Sequence, residues 1–260
     1  NPDLLQMYNA LEAKLYQKDV FVVWTGAMIH PELVKRLPTY NIYLCSDDPE
    51  SSGALSKPVA KYFDHAFTRN IACVERYGQW GCRNHGWSPI PVAGDCLTAF
   101  QSEEEILQGK RDLDVVMFCE RLHVVMLGER VHAASDRMQR IEKLCQAFPQ
   151  VTIRGRGWPG GFVNTQEMWD MYRRAKIGWN LHNSVGPTNG RLMQLPAFGV
   201  MQICDNKSHL GRIFKLDEEV VGFDTVEECI EKTRYYLEHD NERRLIAARG
   251  WRRAVTDYTE

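Results

Sequence analysis

Residues 186–199 read Gly186-Pro-Thr-Asn-Gly-Arg-Leu-Met-Gln-Leu-Pro-Ala-Phe-Gly199. A glycine-bearing polar turn gives way to a short apolar run that ends at a second glycine, which predicts a turn, a helix and a stop. The run that follows, 200–204, suits a buried strand. Thr188 and Asn189 are N-cap types, Arg191 places a cation at the positive end of the helix, and Pro196 sits where a helix interior normally rejects proline. Local rules broken together mark a site. The first N–H groups of a helix have no partner within it, so phosphate is a natural ligand and a nucleotide-linked substrate is implied. The same residues also fit a plain helix cap with a solvent-facing arginine.

Working outward from this turn, apolar strand runs alternate with helical segments in both directions. Upstream, residues 177–181, 151–154 and 115–118 read as strands, and 165–175 and 134–148 as helices. The first part of the chain repeats the alternation, with strands at 20–24, 41–45, 65–68 and 83–87 and helices at 30–37, 55–62 and 72–80. Continuous apolar strands separated by helices favour parallel sheets covered on both faces. Prolines, glycines and an acidic run break the pattern at 89–110, and the terminal blocks 226–237 and 241–258 are helical by periodicity. The expected organisation is an N-terminal Rossmann-like domain over 1–95, a linker over 96–111 and a C-terminal Rossmann-like domain over 112–260, the two facing a cleft. The sequence opens at Asn1, so the N-terminal domain is read as partial.

The 260 residues hold 32 Lys and Arg against 34 Asp and Glu, a balance that favours neither nucleic acid nor a membrane surface as partner. Hydrophobic residues make up 44% and charged residues 25%, which excludes a mainly disordered chain. No run reaches the roughly 18 apolar residues of a membrane span. Eight cysteines without disulfide-type spacing point to a reducing, cytoplasmic setting. Cys73, Cys82 and His85 match no compact zinc spacing.

Tyr172-Arg-Arg-Ala-Lys-Ile-Gly-Trp-Asn-Leu-His182, followed by Asn189-Gly-Arg-Leu-Met-Gln-Leu-Pro-Ala-Phe-Gly199 and by Tyr235-Tyr-Leu with Arg243 to Gly250, resembles the glycosyltransferase-like domain of CgeB/YkvP spore-protein relatives, group 1-type enzymes of GT-B fold. Asp47-Asp-Pro-Glu50, Asp64, Tyr77 to Gly81 and Trp87 to Pro89 extend the resemblance into the first part of the chain.

The resemblance implies a hexosyl- or pentosyltransferase that takes a nucleoside diphosphate sugar as donor, retains anomeric configuration, and needs neither metal nor cofactor. It places the donor diphosphate on the backbone at Thr188, Asn189 and Gly190, ahead of the helix beginning at Arg191. Relatives often carry Glu where this chain has Gln194, facing the ribose, and another Glu at the position of Gly186. The paired-carboxylate motif is therefore absent, and a catalytically inactive nucleotide-sugar-binding or scaffold protein is the alternative. The acceptor stays open between saccharide, protein, small molecule and nucleic acid.

Further candidates follow from position. Arg121, after strand 115–118, matches an arginine that relatives turn toward the diphosphate, and a guanidinium can bridge two phosphate oxygens; a surface salt bridge is the other reading. Arg154 and Arg156 flank the next strand's end beside Trp158, which either borders the base or closes the core. His182 and Asn183 end another strand and are donor-side candidates. Asp48, past a strand's carboxyl end where open sheets place ligands, is read as facing the cleft and either positioning the acceptor or accepting its proton. Asp47 and His30 complete the acceptor side.

Overall fold

The computed structural model describes residues 2–25, 29–97, 99, 102–121, 125–126, 129–130, 132–183 and 185–259. Two compact units divide the chain, the first running to Pro89 and the second continuing from Ile90.

The first unit opens with helix α1 (Pro2–Leu15), which sequence reading left unassigned, and continues through β1 (Val20–Trp24), α2 (Pro31–Arg36), β2 (Tyr40–Cys45), β3 (His65–Thr68), α3 (Val74–Gln79) and β4 (His85–Trp87). All four strands are parallel in the order β1-β2-β3-β4, with Val22 opposite Ile42 and Leu44 opposite Phe67. Alternation along β2 sends Asn41, Tyr43 and Cys45 into the interior, where Tyr43 meets Phe63, Ala66 and Tyr77. The helix expected over 55–62 is instead a series of turns ending in a 3₁₀ turn at Ala60–Tyr62. Pro58 interrupts it by removing a donor, and the Ser52 and Ser56 hydroxyls answer to Asp48 rather than to a helix.

The rest of the chain, all of it in the second unit apart from Met126, holds α4 (Gly94–Leu97), α5 (Glu103–Gln108), β5 (Leu113–Phe118), β6 (Val125–Met126), β7 (Glu129–Arg130), α6 (His132–Ala147), β8 (Thr152–Arg154), α7 (Thr165–Arg174), β9 (Ala175–Asn180), α8 (Arg191–Ala197), β10 (Met201–Cys204), α9 (Lys207–Leu210), β11 (Val221–Gly222), α10 (Val226–Glu238) and α11 (Asp240–Asp257) among the described residues. The segment read as a linker contributes α5, which packs on α11. Arg244 of α11 caps that helix by donating to the carbonyls of Leu107 and Gly109. Five parallel strands lie in the order β11-β10-β9-β5-β8. The chain leaves β5 toward β8 on one side and later fills β9, β10 and β11 on the other. The order reverses between β5 and β9, and such a switch point at the strands' carboxyl ends is where open α/β sheets bind ligands.

Candidate functional site

The carboxyl ends of β5 and β9 are fastened together by Arg191, the first residue of α8. Its Nη1 donates to the Phe118 carbonyl at 2.8 Å, Nη2 to the Leu181 carbonyl at 3.3 Å and Nε to Asn180 Oδ1 at 3.1 Å. The sequence places a cation at this helix start; the structure turns its guanidinium inward across the switch point. Gly190 rather than Thr188 or Asn189 is the N-cap residue. Asn189 still serves the helix start, because its Oδ1 accepts from Leu192 N at 3.2 Å while its Nδ2 donates to Asn180 Oδ1 at 2.7 Å.

Pro196 inside α8 has a local explanation. A proline lacks the N–H that would bond four residues back, so the Leu192 carbonyl is released. Gln202 Nε2 takes it at 3.2 Å, and Gln202 Oε1 accepts from Asn180 Nδ2 at 2.8 Å. Asn180 and Gln202 are fully buried. The helix defect is thus joined through two strands to the turn before the helix, every member bonded, as a buried polar network requires.

A second group of contacts surrounds His182. Its Nδ1 lies 2.7 Å from Asp205 Oδ1 and its N–H donates to Asp205 Oδ2 at 2.9 Å. Arg140 reaches the same carboxylate at 3.2 Å and the His182 carbonyl at 3.2 Å. Arg137 donates to the Leu181 carbonyl at 3.0 Å and to Asn183 Oδ1 at 3.2 Å. Burial alone pushes the Asp205 carboxyl up, but His182 and Arg140 together hold it below the usual range. Burial, then the neighbouring Arg191 charge, brings Arg137 down to about 10. Three guanidinium groups therefore converge on residues 180–183 around one buried carboxylate.

His182, Cys204 and Asp205 bring potential metal-ligating atoms within 4.8 Å of one another. Their surroundings oppose a cation. The imidazole Nδ1 and both carboxylate oxygens already hold hydrogen bonds, burial and Asp205 push the Cys204 thiol well up, and the three arginines repel a dication. What this edge favours is an anion. His182 Nε2 and Thr188 Oγ1 are buried there without a partner among the described residues, and an open pocket of about 580 Å³ that reaches Val185 is lined by Arg140 and Lys207 together with Asp136, Asp205 and Asp224.

The loop after β8 packs against the end of β5. Cys119 N donates to the Arg154 carbonyl and Arg121 N to the Arg156 carbonyl, extending the β5–β8 pairing. Gly155 has φ +138, and a Cβ there would fall 2.0 Å from the Cys119 carbonyl oxygen, so the close approach demands glycine. Arg121 lies with Cζ 5.2 Å from the Trp158 ring centroid and donates from Nη2 to Glu142 Oε1 at 3.1 Å, an exposed and therefore weak ion pair. The Trp158 ring is largely buried, as are its Nε1 and Arg154 Nε, neither of which has a partner among the described residues. Arg156 is exposed beside Glu120 at 3.7 Å.

The acceptor-side candidates of the first unit sit differently from their expected places. Asp48 is fully buried, accepting from Ser52 Oγ at 2.7 Å, Ser56 Oγ at 2.8 Å and Tyr77 Oη at 2.6 Å. With both oxygens engaged inside the core it pins the 47–56 loop, an arrangement that does not suit an open general base. His30 is the N-cap of α2, its Nδ1 accepting from Glu32 N at 3.2 Å. Asp47 is partly exposed, its carboxyl raised first by burial and then by the Asp48 charge. Sequence reasoning missed Asn180, Gln202, Asp205, Arg137 and Arg140. For Asn180 and Gln202 the available signal was a polar side chain inside a strand otherwise read as apolar, whereas Asp205 follows β10 and Arg137 and Arg140 lie on α6, where no such signal marks them.

Residues 130–260, half of the chain, match the sequence profile of the glycosyl transferase-like family, and the chain belongs to that family. Solved structures carry the fold through both units. Alr3699/HepE of Anabaena, in complex with UDP-glucose, aligns over 97% of this chain and 78% of its own at a TM-score of 0.69 and 11% identity. The sucrose-phosphate synthase of Thermosynechococcus elongatus aligns over 98% and 74% at 0.66 and 13%. An α-glucosyltransferase bound to UDP and a 13-mer DNA containing an HMU base aligns over 99% and 81% at 0.62 and 10%. No curated protein sequence matches. The fold is GT-B with Rossmann-like domains, the class the sequence predicts.

Proposed function

We propose that this chain transfers a glycosyl group from a nucleoside diphosphate sugar to an acceptor, as the CgeB/YkvP resemblance implies, with retention and without a metal. The convergence of Arg137, Arg140 and Arg191 on the carboxyl end of β9 carries the reading. Arg137 is buried and Arg140 and Arg191 are half-buried, so their charges are only partly screened by water, and a diphosphate at the adjacent turn complements them. In this reading the backbone N–H groups at Thr188, Asn189 and Gly190 hold the phosphates. Arg191 acts from behind by fixing the turn. Arg121 swings from Glu142 to offset charge on the leaving phosphate, and Arg154, Arg156 and Trp158 border the nucleoside. UDP is the first nucleotide to test, being bound in the Anabaena and DNA-complexed relatives.

The absence of Glu at positions 186 and 194 favours a second reading, a binding protein without turnover. Radiolabelled UDP-sugars, offered with and without EDTA, separate the two. Release of free sugar or transfer unaffected by EDTA supports the enzyme. Calorimetric UDP binding with no turnover of any offered sugar supports the binder, and no UDP binding at all overturns both for that nucleotide.

A further inference from the structure

Trp24, the last residue of β1, is 60% exposed and yet held in place. Its Nε1 donates to Ser46 Oγ at 2.8 Å, and the Arg69 guanidinium lies over the ring with Cζ 4.9 Å from its centroid. Arg69 is itself 7% exposed, anchored to Ser88 Oγ at 3.2 Å and to the Pro89 carbonyl, while its own carbonyl accepts from Trp87 Nε1 at 3.0 Å. The side chains that fix the indole therefore come from the ends of β2 and β3, and through Arg69 from the end of β4. An exposed tryptophan without such contacts rotates freely; this one presents a fixed plane. The backbone at the same point is strained. Thr25 has φ +52, an outlier for a β-branched residue, and is kept there by its N–H on the Leu44 carbonyl at 2.8 Å.

We propose that Trp24 is the stacking platform for a neutral saccharide, which makes a saccharide the acceptor class; this rests on the glycosyl-transfer reading. A pyranose ring has an apolar C–H face and a rim of hydroxyls. The indole offers a flat apolar surface at little entropic cost, and Ser46, which accepts from its Nε1, and the next residue, the partly exposed Asp47, follow the neighbouring strand β2 as polar groups for the rim. Its place at the carboxyl edge of a parallel sheet is where ligands bind in such folds. Val20 and Val22 are also open on β1, at 50% and 54%. A protein partner would use that whole strip, whereas a sugar ring covers little beyond Trp24.

The test titrates the full chain with glucose, galactose, N-acetylglucosamine and the β-1,4-linked disaccharides of each, following the indole N–H signals by NMR, with UDP titrated into the same protein. At least one saccharide is expected to move the Trp24 signal. Trp24→Leu should weaken its binding tenfold or more, Trp24→Phe less because a ring remains, and Val22→Thr less than twofold. No response from the whole set overturns the platform, and so does undiminished binding by both Trp24 variants. Equal loss with Val22→Thr also overturns it, marking the strip as a protein contact. UDP binding without saccharide binding sinks the platform and spares the donor reading; saccharide binding without UDP binding does the reverse.

Discussion

The Arg191 guanidinium donates to the Phe118 carbonyl at 2.8 Å across 73 residues of chain, and through Leu181 and Asn180 it ties the end of β5 to the end of β9. It thus bridges the point where strand order reverses. Lysine keeps the charge there but has no planar fork to reach three acceptors. Arg191→Lys is expected to lower stability by about 2 kcal/mol and Arg191→Met by about 3 kcal/mol, given charge-assisted hydrogen bonds lost from partly buried carbonyls. Urea unfolding measures both. UDP affinity should fall at least tenfold in each, since the turn that holds the diphosphate loses its backing. Unchanged affinity in a folded Arg191→Lys protein would remove Arg191 from the donor site.

Pro196 and Gln202 are energetically linked through the Leu192 carbonyl. Gln202→Met leaves that carbonyl and Asn180 Nδ2 buried without partners, at a cost of about 2–4 kcal/mol. Pro196→Ala restores an N–H four residues beyond Leu192, so in the Gln202→Met background it should recover about 1 kcal/mol more than it contributes alone. Thermal melts of the four proteins in this cycle give the coupling. Strict additivity would mean that the proline's missing donor is not what Gln202 compensates.

Asp205 sets an acid limit on stability. Its carboxyl is lower in the folded protein than in the unfolded chain, so its contribution is fully present above the ordinary carboxylate value of about 3.9 and is lost as pH falls through its own lower value. Between pH 5 and pH 3, Asp205→Asn should therefore lose stability less steeply than the parent protein, although it is weaker at pH 7. Urea midpoints across that range test the slope, and parallel curves would show that other carboxylates account for the acid limb.

Much of the architecture is legible in the residues because strand runs such as 20–24 and 65–68 are apolar, short and bounded by turn formers. The helix expected at 55–62 fails partly inside the segment, where Pro58 lacks a donor, and partly outside it, since Asp48 claims the Ser56 hydroxyl. The same carboxylate illustrates what spacing conceals about a site. Tandem acids after a strand read as an open base, and only packing reveals that Tyr77 and two serines enclose one of them. Arg191 was visible as a cation at a helix start, but its inward direction depends on acceptors 10 and 73 residues away. Asn180 and Gln202 were hidden by reading each strand as one apolar run, when a polar residue in a buried strand is itself the signal.

Gln194 stands one turn into α8, its carboxamide 3.5–3.8 Å from where a Cβ on Gly190 would lie, so it folds back over the helix start. If ribose hydroxyls face it, as the resemblance implies, a carboxylate in its place accepts from both hydroxyls more strongly than an amide. Gln194→Glu is then expected to tighten UDP binding about tenfold, in line with about 1.4 kcal/mol for a charge-assisted bond. The gain should shrink to about twofold with 2′-deoxy-UDP, which removes one hydroxyl and leaves charge, base and phosphates unchanged. Calorimetry on the two ligands and two proteins reads the effect directly. A carboxylate that weakens UDP and 2′-deoxy-UDP equally would instead place the phosphates, not the ribose, beside residue 194, because like charges then repel at the helix start.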